Sequence, residues 1–236
     1  MPESEESEGY SARRSTGEYV ADVLRREIFA GRYGPNQRIA QEDVARRLQV
    51  SRIPVREALV ILEREGRVRM VLHRGAFVLP MDEESIRDNA ELFATVLAFV
   101  GRRATERVTP ALLQALAALT IRMREAEDPR AIYRLSEDYL DAIIEVGTAP
   151  RLARTLRRMR ALAVDNLFEV VPGAMEVTRQ GVLTLIDAIR DGDPDRVVAE
   201  QMSMQRKSAD LVIAAFQARK MLADSEPTKL NEATTP

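Results

Sequence analysis

The sequence predicts a mainly α-helical fold in two parts: three short helices closed by a β-hairpin, then an all-α bundle of six helices. Three observations predict it. Apolar residues recur at helical spacing through most of the chain. β-prone runs lie together just after the third helix. Beyond Asp82, turn and capping residues followed by proline punctuate the chain at intervals of about 20 residues.

Each element can be justified in order. Residues 1–14 are polar with almost nothing to bury, as are 223–236, so both are expected to be tails. Val20, Val23, Leu24 and Ile28 make a one-sided stripe on a helix that starts near Thr16 and stops at Gly31. "RYGPNQRI" then turns into a short extended piece. Val44, Ala45 and Leu48 mark a second helix, and only "QVS" separates it from a third, which Gly66 terminates. "RVRMVL" and "AFVLP", joined by "HRG", read as a hairpin. Three helices and a hairpin over 15–80 make a winged helix-turn-helix, a DNA-binding arrangement.

From 81 to 222 no strand signal remains. Asp82 can cap one helix, and Thr109-Pro110, Asp128-Pro129 and Asp193-Pro194 each pair a cap with a proline suited to the first helical position. Ala149-Pro150 and Pro172-Gly173 mark two more restarts. The six helices are expected at about 82–107, 110–127, 129–147, 150–169, 174–191 and 194–222.

Composition narrows the function. The chain has 236 residues, 45% of them apolar, no Cys and a single His, so disulfides and cysteine- or histidine-rich metal sites are excluded. Its longest apolar run, "LFATVLAFVG", is half of the roughly 20 residues a membrane crossing needs. No membrane partner and a cytoplasmic location are therefore expected. Residues 11–80 carry fourteen Arg against eight Asp or Glu although the whole chain has a net charge of −2, so the front half is basic and should meet a polyanion. Without Cys, and with the lone His in a hairpin, nucleophile–base pairs are missing and an enzyme is not expected.

The third helix carries the site. Val55, Ala58, Leu59 and Leu62 fall on one face, Arg52 and Arg56 on its flank, and Ile53 roughly opposite. At the N-terminal turn, Ile53 can touch a thymine methyl while Arg52 or Arg56 reaches guanine or a phosphate. Ser51 can cap the helix or donate to phosphate. Taken alone, the pattern also fits a surface helix whose arginines pair with Glu57 or Glu63. His73, Arg74 and Gly75 at the hairpin tip favour DNA, since such a tip can enter a minor groove.

The stretch "YVADVLRREIFAGRYGPNQRIAQEDVARRLQVSRIPVREALVILEREGRV" resembles the DNA-binding domain of GntR-type bacterial transcription regulators, and the six-helix segment resembles the FCD effector domain of the FadR subfamily. The resemblance implies that Ser51, Arg52 and Arg56 contact DNA and that the tip at His73 to Gly75 reaches the minor groove. One recognition helix alone would grip DNA weakly, so a homodimer reading a palindromic operator is expected. Three positions depart from the family pattern: Ile53 replaces a Thr, Gln49 a Gly, and Pro35-Asn36 a Pro-Gly.

In the bundle, FCD domains usually hold a divalent metal on one Asp and three His. The positions that match are Ser136, Leu140, Val182 and Met204, and the family's inward Arg falls at about Phe93, so no metal or other cofactor is expected. Phe93, Leu140, Val182 and Met204 then either fill a solid core or line a pocket for an apolar effector such as a fatty acid or acyl thioester. The expected function is a transcription regulator, a repressor, that senses such a molecule; the alternative is a DNA-binding regulator or architectural protein with a filled, ligand-free bundle.

Overall fold

The computed structural model describes residues 15–72, 74–160 and 167–222; the expected tails at 1–14 and 223–236 lie outside the described residues. Contacts divide the chain after Pro80 into two units, each with its own hydrophobic core.

The first unit contains α1 (Thr16–Phe29), β1 (Arg38–Ile39), α2 (Gln41–Leu48), α3 (Arg52–Arg64), β2 (Val68–Val71) and β3 (Gly75–Val78). Ser15 and Glu18 start α1 with reciprocal side-chain to backbone bonds, Glu18 N–H donating to Ser15 Oγ at 3.1 Å and Ser15 N–H to Glu18 Oε2 at 2.9 Å. The apolar stripe of α1 packs on Val55, Ala58, Leu59 and Leu62 of α3, all fully buried. β1 joins the hairpin, giving an antiparallel sheet in the order β1-β3-β2. Ala76 and Val78 turn into the core, whereas Phe77 alternates outward between its register partners Arg38 and Arg69.

An ionic tie fixes α1 against the far end of α3. Arg25, only 7% exposed, donates through Nε and Nη2 to the two oxygens of Glu65, at 3.0 and 2.7 Å, and also pairs with Asp22. Arg67 Nε adds a third donor to Glu65 at 3.1 Å. Two fork-like bonds into one carboxylate constrain orientation as well as distance, so the roll of α3 about its axis is held.

The second unit is helical: α4 (Glu83–Glu106), α5 (Pro110–Glu125), α6 (Pro129–Gly147), α7 (Pro150–Arg160), α8 (Leu167–Val170), α9 (Ala174–Arg190) and α10 (Pro194–Ala218). The sequence-expected caps operate: Asp82, Thr109, Asp128 and Asp193 each accept from the backbone N–H three residues on, at 2.7 to 3.1 Å. Of the helix expected over 150–169, α7 and α8 lie within the described residues, and 161–166 lie outside them. The last helix stops at Ala218 rather than 222. Lys220 adopts a left-handed φ of 55° and Met221 N–H returns to Phe216 carbonyl at 2.9 Å, a C-terminal wrap achieved without glycine. Among the described residues no helix is long and apolar enough to cross a membrane.

Candidate nucleic-acid interface

The turn between α2 and α3 sets the site. Gln49 ends α2 at φ 55°, ψ 39°, a left-handed conformation, and Val50 N–H reaches back to Ala45 carbonyl at 3.0 Å. This is the position where the family pattern has Gly, so a glutamine here is strained by about 1 kcal/mol. Asn36 is left-handed as well, at φ 61°, which an asparagine tolerates better.

Ser51 follows as the N-cap of α3, yet its side chain makes no capping bond. An N-cap serine whose hydroxyl is unused leaves the N-terminal amides of α3 and the hydroxyl itself available to an anion. Ile53 is 70% exposed on this first turn, an apolar side chain held in water by the burial of Val55, Ala58 and Leu59 behind it. Arg52 is also exposed but not idle: its Nη2 lies 3.0 Å from Glu42 Oε1 on α2.

The arginines of this unit separate into two groups. Arg25, Arg32, Arg46, Arg47, Arg52 and Arg67 hold carboxylates within the fold, as in the bond from Arg47 Nη2 to Glu27 Oε2 at 2.7 Å. Among the described residues the side chains of Arg38, Arg56, Arg64, Arg69 and Arg74 have no hydrogen-bond or ion-pair partner, and all five residues are exposed. Arg56 is thus a free cation one turn into α3.

At the hairpin tip, Arg74 N–H closes a turn onto Val71 carbonyl at 3.0 Å. Gly75 has φ +99°, and a Cβ there would lie 3.1 Å from Arg38 Nε, so glycine both permits the turn and makes room for Arg38. His73 lies outside the described residues. The strand ends at Val71, one residue before the expected "RVRMVL" run does, and this releases Leu72 into the turn at 82% exposure. Sequence reasoning missed Leu72 because a β-prone run gives no sign of where pairing stops. It missed Arg38 because only the pairing of β1 with β3 brings that residue to the tip.

In the second unit, Val182 is buried at 2% exposure, and Leu140 and Met204 are partly buried against the same core. Phe93, on α4, is half-buried and not among the apolar residues packed on that core. Met204 sits so close to Gly181 that a Cβ there would collide with its thioether. Among the described residues of this unit three buried side-chain atoms have no hydrogen-bond partner: the Tyr139 hydroxyl, which burial pushes well above the ordinary tyrosine pKa, Gln201 Nε2, and Arg179 Nε, which is left with an ion pair to Glu176 at 3.3 Å. Among the described residues no group of three or more His, Cys, Asp or Glu is placed to hold a metal ion.

Comparison with known proteins locates both units. Residues 16–78 match the family model of bacterial regulatory proteins of the gntR family, and 89–204 match that of the FCD domain. An uncharacterized HTH-type transcriptional regulator of Mycobacterium tuberculosis is 28% identical over 211 residues, covering 88% of this chain and 84% of the relative. The HTH-type transcriptional repressor RspR of Escherichia coli is 24% identical over 185 residues, covering 74% of this chain and 79% of the relative. Among solved structures, E. coli McbR/YncC superposes with a TM-score of 0.61 at 18% identity, over 86% of this chain and 99% of that one. A GntR family member from Pseudomonas syringae gives 0.51 at 21%, over 87% of each chain. At such identities these two likenesses speak for the fold.

Proposed function

Because this chain is a GntR-family transcriptional regulator, a helix-turn-helix DNA-binding domain followed by an FCD domain, we propose that α3 reads a DNA operator through Ser51, Arg52, Ile53 and Arg56. His73, Arg74 and Gly75 act as the wing. The observation that carries this reading is the free, exposed guanidinium of Arg56, presented beside the uncapped Ser51 and the exposed Ile53 on a helix whose opposite face is fully buried. Arg56 donates to guanine O6 and N7 or to phosphate, and Ile53 meets a thymine methyl where a Thr would have offered a hydroxyl. Leu72 and Arg38 extend the wing contact, the first as an apolar wedge and the second as a phosphate partner.

One recognition helix alone grips DNA weakly, so two copies related by a two-fold axis read a palindrome. Exposed apolar residues on α4 (Leu92, Phe99) and α5 (Leu113, Ile121) supply surface for that homodimer. The chain acts as a cytoplasmic repressor of the FadR subfamily, with no catalytic step. Its FCD domain senses an apolar effector such as a fatty acid or acyl thioester without metal, a reading supported by Leu140, Val182 and Met204 at positions that would otherwise carry ligands. Effector binding releases DNA insofar as it favours one arrangement of the two DNA-binding domains. The close seating of Met204 on Gly181 favours a second reading, in which the interior is filled and ligand-free. Calorimetry with long-chain acids and acyl thioesters, repeated with operator bound, separates them. Heat of binding together with DNA release supports the sensor; neither signal supports the filled bundle.

A further inference from the structure

The cleft between α4 and α10 holds two charges that the fold leaves apart. The helices run antiparallel: Arg87 Nη1 donates to Asp210 Oδ1 at 2.7 Å, while further along α4 a Cβ at Gly101 would lie 2.7 Å from Val197 Cγ1, earlier in α10. Glu91 is one turn after Arg87, and Arg206 one turn before Asp210, so this register sets Glu91 facing Arg206. The neighbouring pair closes; this one does not. Among the described residues neither side chain has a hydrogen-bond or ion-pair partner.

Between them lies a cavity of about 230 Å³, with Ala90, Ala94, Ala209, Met202, Gln205 and the ion-paired Arg87 in its walls. Ala94 and Ala209 are buried, at 1% and 4% exposure, so the floor is made of methyl groups. The volume falls below the roughly 300 to 1,000 Å³ of pockets for drug-sized ligands, which excludes a nucleotide and suits a small metabolite. Its two walls ask for opposite things. Arg206 offers a planar fork of donors that matches a carboxylate, and Glu91 offers an acceptor for an ammonium group. The alanine floor and the adaptable Met202 accept an apolar group.

We propose that the α4–α10 cleft binds a free α-amino acid with an apolar side chain, its carboxylate on Arg206, its ammonium on Glu91 and its side chain on the alanine floor. Such a ligand replaces the missing ion pair with two charge-assisted contacts and ties α10 to the helix that leads the second unit. None of Phe93, Leu140, Val182 and Met204 lines this cleft. The proposal therefore stands apart from the apolar effector, and the failure of either is seen without the other.

The test is titration calorimetry of the full chain, without DNA, using L-leucine and L-phenylalanine as probes. Each is compared with analogues lacking one charge: isoamylamine and isocaproate for leucine, phenethylamine and hydrocinnamate for phenylalanine. At least one amino acid binds, and both of its analogues bind about tenfold more weakly or worse. Arg206→Gln and Glu91→Gln each weaken that amino acid by a similar factor, and Ala94→Leu, which fills the floor while keeping both charges, abolishes binding. Arg206 and Glu91 are exposed, so their variants should melt as the wild type does. Absence of heat with both amino acids, equal binding of a singly charged analogue, or unchanged affinity of the two charge variants overturns the proposal. Measurable coupling between Glu91 and Arg206 in a double-mutant cycle, with no amino acid bound, overturns it too and leaves an ordinary surface ion pair.

Discussion

Arg52 must leave Glu42 before it can touch DNA, so Glu42→Gln should tighten operator binding. The pair lies at 3.0 Å with side chains 71% and 68% exposed. At that separation the Coulomb attraction in water is about 1.4 kcal/mol, and side-chain entropy and salt reduce the net worth of such an exposed pair to roughly 0 to 1 kcal/mol. On the complex, that amount is lost when Arg52 exchanges a carboxylate for phosphate or base, and Glu42 is left as an unpaired anion beside the backbone. Glu42→Gln removes both costs, so affinity should rise by up to about fivefold per domain, with the gain shrinking as salt screens it. The assay is fluorescence anisotropy with a labelled duplex selected by the wild-type protein from a random pool, at two salt concentrations. In the Glu42→Gln background, Arg52→Ala should cost more than it does in the wild type. Weaker binding by Glu42→Gln, or a loss from Arg52→Ala that ignores Glu42, would refute the reasoning.

Other expectations follow from the geometry of the fold. Gln49→Gly relieves the left-handed strain at the α2 C-cap, so it should stabilise the first unit by about 0.5 to 1 kcal/mol, read as a raised denaturation midpoint with an unchanged slope. Arg25→Met leaves Glu65, its side chain 11% exposed, with Arg67 as its remaining cation. It should destabilise that unit by on the order of 3 kcal/mol and weaken DNA binding through loss of folded protein. At the start of α4 the Ser85 hydroxyl and then its backbone N–H donate to the Asp82 carboxylate and hold its pKa below the ordinary value. The cap is thus fully present above the normal carboxylate range and is lost as pH falls through the depressed value. Asp82→Ala should cost about 1 kcal/mol at neutral pH, and the difference from wild type in melting experiments should vanish in acid.

The sequence made legible whatever depends on neighbours within a turn or two. Helical periodicity exposed the buried face of α3 and left Ile53 outside it; a capping residue, followed by proline in three cases, located four helix starts that the structure reproduces. The strain at Gln49 was signalled through the family resemblance, which puts a Gly at that position. What depends on distant partners stayed hidden. Arg25 and Arg56 look alike in sequence, and only a carboxylate 40 positions away makes the first structural while the second stays free. Arg38 reaches the wing tip through a two-residue strand too short to carry a pattern. Glu91 and Arg206 are brought face to face by the register of two packed helices that are the first and last of the second unit in sequence, which no local spacing encodes.

The most direct test of the account is the salt dependence of duplex binding by wild type and Arg56→Ala, measured on the selected operator and on single-base variants of it. A loss of roughly 1 to 3 kcal/mol with relaxed preference at one base of each half-site, and little change in salt slope, is the expected result for a guanidinium reading a base. If Arg56→Ala binds the operator and its variants as the wild type does, the free cation on α3 is not what reads DNA.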